Sequence, residues 1–275
     1  MSIVKKMWWA LKLPERFPIL AKIAERMKTL PVLWNIIELT PIKHDYVITL
    51  PKDKVIELNE SIKAPHDIVL PSQIVEYFVK KAESHFILNF CICRYSCDCK
   101  NYPIHYGCLL LGESVKKINP KMGILVSKEV ALNYVKKCQD VGLVHLIGKA
   151  YPDRIGLGAS PSYRLMTICN CCECCCALGS FRYMPPQISK THKKMPGVEL
   201  EVTSECIGCG TCTKDVCFID AIQVVNKRAV INDDCKGCGR CVLVCPQNAI
   251  KLTIDKNTDF IKESIEQISL HVDVS

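Results

Sequence analysis

Cysteine sets the chemistry of this chain: twenty thiols stand in 275 residues. Eight lie near the C-terminus in two runs, Cys206, Cys209, Cys212, Cys217 and Cys235, Cys238, Cys241, Cys245. A C-x-x-C-x-x-C run puts three thiolates on one tight loop, and a fourth from a distant run completes the corners of a cubane iron–sulfur cluster. The second run ends in Cys245-Pro246, and both runs continue alike, into Ala221-Ile222 and Ala249-Ile250. The stretch reads as one small unit, duplicated. Structural zinc is the alternative that Cys-x-x-Cys pairs allow. Zinc needs only two such pairs, so the third cysteine of each run and the Cys-Pro ending argue for iron.

Residues 198–254 resemble a bacterial-type ferredoxin with two [4Fe-4S] clusters. In that family the fourth cysteine of each run ligates the other cluster. The resemblance therefore implies cluster I on Cys206, Cys209, Cys212 and Cys245, and cluster II on Cys235, Cys238, Cys241 and Cys217. It also implies low reduction potentials. One departure stands out: Thr213 to Val216 put four residues before Cys217 where the pattern has three, and Phe218 replaces the expected proline. The Ala-Ile register after Cys217 is kept, so this is a one-residue loop insertion.

A second set of thiols lies in the middle of the chain. Cys91, Cys93, Cys97 and Cys99 are followed by Cys108, and Cys169, Cys171, Cys172, Cys174, Cys175 and Cys176 crowd into one short segment. Alternate residues of an extended strand face the same way, so Cys91 and Cys93 would point to one site, Cys97 and Cys99 would do likewise after a turn, and four convergent thiolates make a metal site. Neighbouring side chains diverge, so no single metal centre uses all six thiols of the later segment. Soft thiolates select Fe–S, zinc or Cu(I), and a chain already committed to iron favours a further Fe–S cluster over zinc or a dithiol role. The favoured ligands are Cys91, Cys93, Cys169 and Cys172, with Cys97, Cys99 and Cys108 as alternates. Cys138, alone on the apolar side of a helix, reads as a buried small hydrophobe. His145 reads as a core residue and His105 as structural.

These residues need elements to position them. Residues 1–60 carry two amphipathic helical patterns and a hairpin of Tyr46–Leu50 with Val55–Leu58. Residues 61–184 form the cysteine-rich domain, with helix–strand units at Pro71–Phe90 and Lys128–Ile147. Pro185-Pro186 and Pro196-Gly197 bracket a linker, 185–197. The module 198–254 contains a hairpin around Asn226-Lys227-Arg228, and 255–275 reads as a helix with Phe260, Ile261, Ile265 and Ile268 on one side. The fold class expected is α+β, a ferredoxin-like two-cluster module appended to a mixed α/β cysteine-rich domain.

Composition narrows the function. The formal charge of +8 counts every thiol as neutral, so thiolate-bound clusters offset it, and no basic helix with interleaved aromatics suggests nucleic acid. The first twenty residues lack an apolar signal core and no stretch is long enough to span a membrane, so a reducing, anaerobic cytoplasm is expected. Residues 1–30 could dock on a membrane surface or a partner. No nucleophile–base set or phosphate-cradling loop is present. The sequence therefore reads as an iron–sulfur electron-transfer protein or subunit acting with a redox partner protein. An Fe–S redox enzyme or reductive activator, and a cluster scaffold, are the alternatives.

Overall fold

The computed structural model describes residues 41–53, 56, 70–183, 186–255 and 258–275. The two N-terminal helical patterns, and all of Val55–Leu58 except Ile56, lie outside these residues. The fold is α+β. Its strands are β1 (Tyr46–Thr49), β2 (His85–Leu88), β3 (Leu109–Leu111), β4 (Gly123–Val126), β5 (Val144–Lys149), β6 (Met166–Cys171), β7 (His192–Lys194), β8 (Val198–Val202), β9 (Ile222–Val225), β10 (Arg228–Ile231) and β11 (Ile250–Ile254). The helices are α1 (Ser72–Lys81), α2 (Ile92–Ser96), α3 (Lys128–Asp140), α4 (Tyr151–Leu157), α5 (Pro186–Ser189), α6 (Arg240–Val244) and α7 (Phe260–Ser269).

The first seven strands form one sheet in the order β4-β2-β3-β6-β5-β1-β7. Every neighbouring pair is antiparallel except β1 and β7, which run parallel. The sheet sorts its side chains by parity, as the strand period of two requires. Ile48, Ile147, Met166 and Ile168 face a helical layer, where they meet Ile74 and Phe78 of α1, Val135 of α3 and Ile268 of α7. Val47, Val144, Leu146, Cys169 and Cys171 take the opposite face. Burying one such aliphatic or aromatic side chain contributes roughly 1.5–3 kcal/mol, so the helical layer fixes the sheet that carries the thiols.

Local signals explain the helices. Pro71 precedes α1, the Ser127 hydroxyl caps α3 by accepting from the Val130 amide, and the Asp259 carboxylate caps α7 by accepting from the Lys262 amide. Phe260 and Ile268 of α7 are buried, with Ile261 and Ile265 packed against the same core. The stretch read as a linker, 185–197, supplies α5 and the edge strand β7, and its His192 is buried with Nε2 2.6 Å from the Thr49 hydroxyl. Tyr46–Thr49 is a strand, but its partners are β5 and β7. Ile56 makes an isolated bridge to Leu252.

At the C-terminal end β8 pairs with β11, and β9 with β10 across Asn226 and Lys227, both at positive φ. Val198 and Leu252 belong to the same buried core as Ile48 and Phe78. The cysteine module and the larger sheet therefore share apolar packing.

Candidate metal centres

The module's eight cysteines line two recesses. Cys206, Cys209, Cys212 and Cys245 surround one, and Cys217, Cys235, Cys238 and Cys241 surround the other. Each recess thus takes three cysteines from one run and one from the other. Main-chain amides point at the sulfurs. The Ala221 amide donates to Cys217 Sγ at 3.3 Å and the Ala249 amide to Cys245 Sγ at 3.3 Å, so the repeated Ala-Ile pairs place equivalent donors in the two halves. The Ala229 amide donates to Cys206 Sγ at 3.3 Å, and the Gly237 amide to Cys235 Sγ at 3.5 Å. Such bonds favour the thiolate over the thiol. The loops depend on glycine: Gly208 and Gly237 have φ of 67° and 69°, and a Cβ at Gly208 would collide with the Lys227 carbonyl. Four thiolates with amide donors around a largely apolar recess are a donor set suited to a [4Fe-4S] cluster.

The one-residue insertion has a local outcome. Asp215 takes a positive φ of 54°, and Phe218 turns inward as a buried side chain. The Arg240 guanidinium stands over its ring at 5.5 Å, a cation–π contact.

In the cysteine-rich domain the thiols separate into two groups. Cys99, Cys172, Cys174 and Cys175 offer sulfurs that all lie within 4.8 Å of one another. Cys99 Sγ is 3.7 Å from Cys174 Sγ, which is 3.6 Å from Cys175 Sγ. Cys97, Tyr102 and Tyr106 pack around this tetrad. Contact with Cys175 lowers the Cys172 thiol to about 6, whereas burial pushes Cys174 up to about 12. A metal bound here would therefore displace protons. Beside Cys99, Asn89, Lys100, Tyr102 and His105 line an open recess, and Cys174 is exposed.

The reading of Cys91 and Cys93 as alternate strand residues is corrected. Cys91 precedes α2 and Cys93 lies within it, because the chain turns helical at Ile92. The period-two rule applies instead at Cys169 and Cys171 on β6. Of the four favoured ligands only Cys172 joins the tetrad; Cys91, Cys93 and Cys169 lie with Cys108, Cys171 and Cys176. The crowded segment diverges as neighbouring side chains must, with Cys172, Cys174 and Cys175 on one side and Cys169, Cys171 and Cys176 on the other. Cys138 is fully buried against Leu143 and the tetrad, where burial pushes its thiol up to about 12. His145 is buried, and desolvation lowers it to about 4. His105 is exposed beside the ring of Tyr106.

Two arginines belong to these sites: Arg94, which its place beside Cys93 in the sequence suits to offset thiolate charge, and Arg240, which nothing in the sequence singles out. Arg94 is fully buried, donating to the carbonyls of Asn170 and Tyr106, and faces Cys91, Cys171 and Cys172. Arg240 is buried beside Cys238, Cys171 and Cys176. Both follow or precede a cysteine in the chain, but only the fold shows that they are inside.

A family model described as a 4Fe-4S binding domain matches residues 229–251, which contain Cys235, Cys238, Cys241 and Cys245. This is an iron–sulfur protein. A curated relative from Methanosarcina acetivorans, one of the subunits of an ion-translocating oxidoreductase complex, is 39% identical over 66 residues. That alignment covers 24% of this chain and 25% of the relative, so the chain spans about a quarter of the relative's length. No solved structure matches. The iron–sulfur protein thus has at least one cluster-binding site in its C-terminal module and a candidate four-cysteine site in its larger sheet domain. Among the described residues no helix is long and apolar enough to cross a membrane.

Proposed function

We propose that this chain is an electron-transfer protein or subunit that relays low-potential electrons between a redox partner protein and the cysteine-rich domain. One contact carries the reading. Cys238, from the recess of the second run, packs with Cys169, Cys171 and Cys176 on one face of the large sheet. The module's thiols and those of the cysteine-rich domain therefore meet in a shared, water-poor region.

Two [4Fe-4S] clusters, bound by Cys206, Cys209, Cys212 and Cys245 and by Cys235, Cys238, Cys241 and Cys217, would supply one-electron redox centres. The chain's own residues do the rest. Amides of Ala221, Ala229, Gly237 and Ala249 donate to the sulfurs of Cys217, Cys206, Cys235 and Cys245. Cys212 and Cys241, both buried, pack in one apolar cluster and bring the two recesses together. Cys209 is exposed at one end of the series and Cys174 at the other, which gives a donor and an acceptor separate places to approach. The relative's membership of an oxidoreductase complex supports a component of a larger assembly over a stand-alone enzyme. The open recess beside Cys99 favours one second reading, a reductase that brings a small substrate to the tetrad.

Full-length protein purified without oxygen and titrated with a mediated reductant, read by EPR and iron analysis, separates these. A relay reduces and reoxidises every centre with its iron retained. Reoxidation only on addition of a small-molecule substrate supports the reductase, and transfer of iron to an apo-acceptor contradicts both. Serine at Cys206 or Cys235 should abolish the corresponding module signal. Persistence of both signals refutes the ligand assignment.

A further inference from the structure

We propose that the cysteine-rich domain holds a second thiolate centre, separate from the tetrad, in which Cys108, Cys169, Cys171 and Cys176, flanked by Cys91 and Cys93, bind an iron–sulfur cluster. Strand parity starts the argument. Cys169 and Cys171 lie two apart on β6 and share the sheet face away from the helices, whereas Cys172 turns the other way into the tetrad. Cys108 Sγ lies 3.6 Å from Cys169 Sγ. Cys171 lies between Cys169 and Cys176, close enough to interact with both. Cys91 and Cys93 touch each other beside this series, Cys91 near Cys171 and Cys93 near Cys176 and Cys108.

Two buried cations supply an independent observation. Arg94 and Arg240 are 0% and 5% exposed, and both face Cys171. Arg94 Nε and Arg240 Nη1 are buried without a hydrogen-bond partner among the described residues. The Glu173 carboxylate lies 3.7 Å from Arg240 Nε, and two guanidinium groups buried this deeply need further anionic partners to offset their desolvation. Thiolates and sulfide of a bound cluster would supply both the negative charge and the acceptors that these donors lack. Soft ligands in this number suit iron–sulfur over a hard cation. The position is also apt: Cys171 and Cys176 belong to the buried cluster against which Cys169 and Cys238 pack, and Cys171 adjoins Cys172 of the tetrad in sequence.

This inference rests on the proposed relay only for the role of the centre as a stepping point. The test reads metal content and spectra of the full-length protein reconstituted with ferrous iron and sulfide under anoxic conditions. It compares the double variants Cys108→Ser/Cys169→Ser and Cys99→Ser/Cys174→Ser. Each should lose a different part of the iron and a different EPR or Mössbauer component, with the C-terminal module's signal retained in both as the control for folding. Unchanged iron in Cys108→Ser/Cys169→Ser overturns the proposal. So does loss of both sheet-domain components from either variant, which would mean one shared centre. Where the double variant fails to fold, Cys176→Ala reads the same outcomes. A relay that fails in electron-transfer assays leaves this result untouched.

Discussion

Arg240 Nη2 donates to the Cys171 carbonyl at 2.6 Å, joining the helix of the C-terminal module to the end of β6. Its Nε lies 3.7 Å from the Glu173 carboxylate, which accepts at 2.9 Å from the Tyr102 hydroxyl beside the tetrad. One buried side chain thus spans from the module's second recess to the tetrad's surroundings.

Replacing that side chain should act on both stability and redox properties. Arg240→Met removes a buried cation, its bond to Cys171 and its contact with Phe218, and should destabilise the protein by about 2–4 kcal/mol. Anoxic denaturation followed by cluster absorbance measures this. The midpoint potential of the adjacent cluster should fall, because the positive charge that favours an added electron is gone. Arg240→Lys should restore the potential more than the stability, since a lysine carries the charge without the planar fork.

Cys138 touches the tetrad's apolar surroundings but is assigned a packing role. Cys138→Ala should cost about 1 kcal/mol, the scale of a small buried deletion, and leave iron content and spectra as in the parent. Iron loss in this variant would make Cys138 a ligand.

The sequence carried more of the module than of the larger domain. The eight cysteines announced themselves by spacing, and the Ala-Ile repeat that suggested duplication proves to position equivalent amide donors on Cys217 and Cys245. Helix α3 and its Ser127 cap were readable because the signals are local. The partners of Tyr46–Thr49 were not, because strand pairing with β5 and β7 joins residues far apart in sequence. The tetrad was hidden for the same reason: Cys99 meets Cys172, Cys174 and Cys175 only after β3, β5 and β6 assemble. Cys91 and Cys93 misled, since two cysteines with one residue between them fit a strand or the start of a helix equally well.

Asp45 should give the stability a pH dependence. Its carboxylate is buried at the start of β1, accepting from the Tyr151 amide at 2.7 Å, and desolvation raises it to about 7. Its folded value lies above its unfolded one, so its favourable contribution is complete below about pH 4 and is lost as pH rises through about 7. Asp45→Asn keeps an acceptor for the Tyr151 amide and removes the charge. It should flatten the fall in stability between pH 4 and 8 by about 1–2 kcal/mol after allowance for solvent screening. Denaturation midpoints across that range check this, and an unchanged slope would mean that Asp45 is ionised at little cost.

The relay is tested most directly by freeze-quench EPR of the tetrad's signal after mixing with a reduced protein donor. It compares the parent with Cys206→Ser/Cys235→Ser in full-length protein. Reduction of the tetrad should slow at least about tenfold in the variant, about 1.4 kcal/mol on the barrier, while its signal stays intact. Equal rates in the two proteins would contradict the account, because the tetrad would then take electrons without the C-terminal module.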